Sequence, residues 1–168
     1  MDTSNEIDGH GFTRYIRNCH KTQWSSTVTY NEDNRLPYQK TWKNLRDEAA
    51  DFHEAFTGSS RRTKHLQTAL KEAFRDYLLL CYSESVRLEL GTEWAPLEGL
   101  EGARLIAMEK MRLMPLEARE LDNQTLAHVL HRELHGFTLP EQAAEACRFD
   151  LSDNGLYPMI QPHLRQGA

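Results

Sequence analysis

Two apolar stripes at helical spacing, separated only by a Gly-Ser-Ser break, dominate the chain between Pro37 and Gly91. In the first stripe Trp42, Leu45, Ala49, Phe52 and Phe56 advance by three, four, three and four residues, which places all five on one helix face. Gly58 then supplies a residue suited to a left-handed helix cap, and Ser59 or Ser60 can cap the next helix. That second helix is expected over 61–90, with Leu66, Leu70, Ala73, Tyr77, Leu80 and Cys81 as its stripe and Gly91 as its stop. So short a link leaves the two helices antiparallel, as a hairpin over 37–90. Between Tyr77 and Tyr82 apolar residues occupy every side of the helix. This segment is therefore expected inside the core rather than at a contact between copies.

The rest of the chain reads as shorter pieces around that hairpin. Residues 1–10 are polar and expected to fray. In the 11–35 stretch, Phe12, Tyr15, Ile16 and Cys19 fall on one side of a helix, which is favoured over a strand. Thr27–Tyr30 is strand-like and Asn31–Asn34 is a turn cluster, so one short β-hairpin near 24–35 competes with an extended loop. Helices are expected from Leu100 to Met114, with Pro115 as a break, and from Asp122 or Asn123 to His135. Another begins at Thr138-Leu139-Pro140-Glu141, a capping-box pattern, and runs to Cys147, completing the C-terminal helices over 100–147. Residues 150–168, with Gly155, Pro158 and Pro162, are expected to form an irregular tail. The expected fold is all-α, one domain built as an irregular bundle of about five or six helices.

Charge and cysteine usage narrow the function classes. Lys and Arg total 20 against 25 Asp and Glu, a net charge of -5 that excludes a uniformly basic nucleic-acid coat. The balance is uneven: residues 1–90 hold 13 basic and 13 acidic side chains, whereas residues 91–168 hold 7 and 12. Three cysteines far apart, with no Cys-x-x-Cys pair, speak against a disulfide framework or a cysteine zinc site. No apolar run approaches the roughly 20 residues of a membrane span, and no secretory signal is visible, so a cytoplasmic protein without membrane contact is expected.

Candidate chemistry is sparse. His128, His131 and His135 stand at i, i+3 and i+7 on what reads as one helix, opposite the apolar set Leu126, Val129, Leu130 and Leu134. His131 and His135 could share a divalent metal, but His131 is followed by Arg132 and not by the Glu of a His-Glu-x-x-His site. A solvated or partner-facing histidine ridge is the favoured reading, and no cofactor is expected. Glu84 and Glu133 fall inside apolar stripes, where a buried carboxylate must be paired or protonated. The expectation is that Glu84 marks where its helix leaves the core and that Glu133 pairs with Arg104 or Arg119. A cluster of either with His53 would be needed for acid–base work. Cys19 beside His20 gives no catalytic pair, because adjacent helical residues point about 100° apart. There is no Gly-x-Ser-x-Gly elbow, phosphate-binding Gly-rich loop or dinucleotide fingerprint.

Two basic ridges carry the remaining signal: Arg14, Arg17 and Lys21 in the first helix, and Arg61, Lys64, Lys71 and Arg75 opposite the core stripe of the long helix. They suit an acidic protein partner or nucleic-acid phosphates. The stretch Thr138–Ala144, with Ala143 as the small packing residue, also resembles the first helix of helix-turn-helix regulators. That resemblance implies a reading helix between 148 and 164, where the turn is long and Pro158 interrupts. The function expected from sequence is non-enzymatic: a small binding or regulatory protein, or a helical subunit of a larger assembly, with a protein partner. A nucleic-acid-binding regulator or ribonucleoprotein subunit is the second expectation, and a metal-dependent enzyme the third.

Overall fold

The long stripe folds as a single 29-residue helix, α2 (Arg62–Leu90), and every other layer of the bundle is arranged around it. The computed structural model describes residues 30–31, 34–53, 55 and 62–165, with backbone alone for 62–64. Before α2 comes α1 (Tyr38–Phe52). After it come α3 (Glu101–Met111), α4 (Pro115–Glu120), α5 (Asn123–Val129), α6 (His131–Gly136), α7 (Glu141–Asp153) and α8 (Tyr157–Ile160), then a 3-10 turn, Gln161–His163. Among the described residues there is no strand, only an isolated bridge between Thr92 and Ala95. The fold is therefore all-α; the strand-like residues 24–29 and the stripe of 11–22 lie outside the described residues.

Packing on all sides explains why α2 is apolar all round at its centre. α1, α3, α5, α6 and α7 each lie against it, and Tyr77, Leu78, Leu79, Leu80 and Cys81 are all buried in the chain's own core. On the α1 side Trp42 meets Tyr77 edge-on, with ring centroids 5.5 Å apart. The Trp42 indole N–H donates to Asp150 at 2.8 Å, and Arg46 reaches the same carboxylate at 2.9 Å, which ties α1 to α7. The Tyr77 hydroxyl donates to the Ala143 carbonyl at 3.1 Å and joins α2 to α7. On the opposite side α3 comes so close that a Cβ on Gly102 would meet the Ser83 carbonyl oxygen at 2.6 Å. The hydroxyl of Ser83 accepts the Ala103 N–H at 3.0 Å in that same contact.

Four sequence expectations need correction. The first helix ends at Phe52 rather than running to 57; Phe52 is half exposed and packs on the edge of His53, and Phe56 lies outside the described residues. The helix expected through His135 is broken at Leu130, whose backbone (φ -95°, ψ 15°) leaves the helical region between α5 and α6; Leu126, Leu130 and Leu134 are all buried across the break. The helix expected to stop at Cys147 continues to Asp153, because Leu151 extends its buried stripe. The described part of the segment after 150, to residue 165, is not irregular: Leu156, Ile160 and His163 are buried, and Leu139 N–H donates to the His163 carbonyl at 2.9 Å. Pro158 and Pro162 fit because each stands in a first turn, where no N–H is needed.

Among the described residues three non-glycine positions, Asn34, Leu97 and Arg112, have positive φ, and of these Arg112 ends a helix. Arg112 caps α3 in the left-handed region (φ 55°), where glycine is the usual occupant. Arg112→Gly is expected to raise stability by up to about 1 kcal/mol, the relieved strain being partly offset by the freer unfolded chain. A denaturant midpoint that falls instead would show that the Arg112 side chain contributes more than its backbone costs.

Candidate interaction surfaces

The carboxylate that interrupts the α2 stripe is at the centre of a buried tether. Glu84 is only 3% exposed and Arg87, one turn later, 8%. Arg87 donates to Glu84 through Nε at 2.7 Å and through Nη2 at 2.9 Å. The second Glu84 function comes from another element: its Oε1 accepts the Leu36 N–H at 3.1 Å. Arg87 also donates to the Asn34 carbonyl, and its guanidinium lies over the Tyr30 ring, 4.5 Å from the centroid. Tyr30 in turn accepts the Gly99 N–H at 2.7 Å. Glu84 therefore does not mark the exit of α2 from the core, as expected from sequence. Together with Arg87 it fastens Tyr30, Asn34 and Leu36 to the C-terminal part of α2. Both oxygens of this carboxylate are engaged, three of its roughly four acceptor sites being filled by a guanidinium and a backbone amide, which is the pattern of a structural group.

The other acid–base candidates are separated. Glu133 is partly exposed and pairs with Lys110 at 2.7 Å, not with Arg104 or Arg119. That ammonium is the main reason its carboxyl is held below the ordinary range. His53 meets Glu72 at 2.9 Å and neither Glu84 nor Glu133, so the three groups required for acid–base work are not brought together. Cys81 and Cys147 are buried, and burial pushes both thiols up, that of Cys147 to about 12. Neither is available as a thiolate nucleophile.

The histidine ridge is exposed at His128, His131 and His135, and the His131 and His135 rings stack with centroids 6.2 Å apart. The break at Leu130 puts His128 on a different helix from the other two. Among the described residues no group of three or more His, Cys, Asp or Glu side chains is placed to hold a metal ion. Of the basic ridges, Arg14, Arg17, Lys21, Arg61 and the Lys64 side chain lie outside the described residues. Lys71 is exposed; Arg75 is committed to the buried Asp76 at 2.7 Å. The helix-turn-helix expectation does not survive: α7 passes straight through 148–151, and the four residues of α8 cannot serve as a reading helix.

Two surfaces stand out that residue patterning passed over as breaks between helices. At the α3–α4 corner Met111, Met114 and Leu116 are 51%, 66% and 73% exposed within six consecutive residues. The corner is fixed by Arg112 in its left-handed cap and by Glu117, which accepts the Met114 N–H at 2.7 Å. The other surface lies beyond α2. Thr92 and Ala95 close a tight turn with backbone bonds of 3.0 and 3.1 Å, and its tip holds Trp94 86% exposed. The sequence signal was present in both places: a Met-Arg-Leu-Met-Pro-Leu run with no helical period, and a tryptophan in a polar loop.

No helix among the described residues is long and apolar enough to cross a membrane. Comparison with protein-family models, with curated proteins and with solved structures returns no match to this chain.

Proposed function

We propose that the protein is a non-enzymatic binding protein, a helical subunit or adaptor that docks a protein partner at the α3–α4 corner. The observation that carries this reading is the exposure of Met111, Met114 and Leu116 on a backbone pinned from both sides. Large apolar side chains crowded into one exposed stretch mark interaction surfaces more often than scattered single ones do. Methionine suits such a surface because its unbranched, polarisable side chain adapts to the facing residues. Glu109, Lys110, Arg112, Glu117, Arg119 and Glu120 surround the corner with three charges of each sign, the polar rim expected of a protein interface rather than of a phosphate-binding face.

The test is co-purification from the native host with nuclease treatment, comparing the natural chain with a Met114→Glu/Leu116→Glu variant. Both positions are exposed, so the variant should melt with the natural chain while losing one stoichiometric protein partner. Recovery of the same partner by both forms would refute docking at this corner. Bound material that disappears with nuclease, and is reduced by Lys71→Glu, would instead support nucleic-acid contact through the α2 ridge.

A further inference from the structure

The α3–α4 corner holds sulfur as well as apolar surface. Met111 and Met114 are 51% and 66% exposed, whereas Leu113 between them and the other described methionines, Met108 and Met159, are partly buried. The thiols of the core do not compete with them for an oxidant. Cys81 and Cys147 are buried, and burial raises both thiols, so little of the reactive thiolate forms. A thioether has no proton to lose, so its reaction with a peroxide is governed by access. The backbone of the corner is held apart from that chemistry. The Arg112 and Leu113 N–H groups donate to the Met108 carbonyl, Ala118 N–H donates to the Met114 carbonyl at 3.1 Å, and Glu117 accepts the Met114 N–H.

With docking at this corner as the premise, we propose that Met111 and Met114 form a reversible peroxide-oxidation site that closes the corner to its protein partner. The sulfur lone pair attacks one oxygen of the peroxide and the O–O bond breaks. An S–O bond forms, the other oxygen leaves as water with both protons, and sulfur loses the two electrons that the peroxide gains. The product is a polar, chiral sulfoxide on a side chain whose value at an interface lies in being apolar and adaptable. Burying that oxygen against an apolar partner face with no donor weakens binding by about tenfold or more for each sulfoxide. Sulfoxide reductases regenerate the thioether, two thiols becoming a disulfide while the oxygen leaves as water.

The experiment treats the full chain, in a Cys19→Ser background, with hydrogen peroxide and maps the oxygen gained by peptide mass spectrometry. Met111 and Met114 are expected to oxidise several-fold faster than Met108 and Met159, and the oxidised protein should melt with the untreated one. In nuclease-treated co-purification the oxidised protein should recover about tenfold less of the partner, and methionine sulfoxide reductases with dithiothreitol should restore it. Met111→Leu/Met114→Leu keeps apolar side chains of similar volume, so it should hold the partner and lose the sensitivity to peroxide. Oxidation of Met108, Met111, Met114 and Met159 at one rate would overturn the proposal. So would undiminished partner recovery by the oxidised protein, or a loss of partner to peroxide that persists in the leucine variant. Met114→Glu/Leu116→Glu, run in parallel, separates docking from its regulation. If that variant keeps the partner, docking at the corner fails and the switch fails with it; if it releases the partner while the sulfoxide form does not, the switch alone fails.

Discussion

Replacing Arg87 by methionine is expected to destabilise the protein by about 3–5 kcal/mol, the penalty of leaving a buried carboxylate without its cation. Glu84 would keep only the Leu36 N–H as a partner, in a site where it is 3% exposed. For a chain of this size that loss corresponds to a drop of roughly 6–20 °C in melting temperature. The effect should also be directional. Arg87 holds Asn34 and covers Tyr30, so amide exchange at Leu36 and Gly99 should accelerate before exchange in α7. Removing both charges, as Glu84→Leu/Arg87→Met, should recover much of the loss. It should not recover all of it, because the Leu36 N–H then lacks an acceptor, a cost of about 1–3 kcal/mol. A cost below about 1 kcal/mol for Arg87→Met alone would mean that the pair behaves as a surface ion pair and that Tyr30, Asn34 and Leu36 are held by something else.

This tether shows how far the sequence could be read. The anomaly itself was visible: a carboxylate near 0° in a stripe of leucines and alanines is conspicuous on any helical projection. Arg87 was also within view, one turn away on the same helix. What periodicity could not supply was the third partner, because Leu36 is 48 residues away and contributes a backbone N–H that no side-chain pattern marks. The same limit applies to Glu133. The acid was singled out, but its cation turned out to be Lys110 on α3, because the choice among Lys110, Arg104 and Arg119 depends on how α3 lies against α6. The hairpin was legible because both of its facing stripes are apolar, though only the second helix stops at its glycine; the C-terminal tail was not, because Leu156 and Ile160 give only a single period. The exposed corners were missed for another reason: apolar residues near proline or glycine read as breaks, and only the fold shows that the side chains stay outside.

The largest pH effect is expected on the alkaline side, and it originates in the core rather than in ion pairs. Cys81, Cys147 and Tyr77 are buried, and burial is the first cause raising each of their pKa values above the ordinary range. Stability changes with pH according to the difference in protons bound by the unfolded and folded chains. For an acid whose folded pKa is raised, the two states bind equally below its unfolded pKa, so nothing is lost there. Above it the unfolded chain releases the proton while the folded chain retains it, and stability falls by about 1.4 kcal/mol per pH unit for each group. With unfolded thiols titrating near 8.5 and phenols near 10, the two cysteines would contribute about 3 kcal/mol each by pH 11 and Tyr77 about 1.4. The sum, on the order of 7 kcal/mol, is comparable with the whole stability of an ordinary domain. The protein should therefore unfold cooperatively between about pH 10 and 11. Melting curves at fixed pH steps would show it, with Cys147→Ala removing about one proton from the slope between pH 9 and 11. An unfolding midpoint that stays level to pH 11, or a slope unchanged by Cys147→Ala, would show that these thiols reach water without global unfolding.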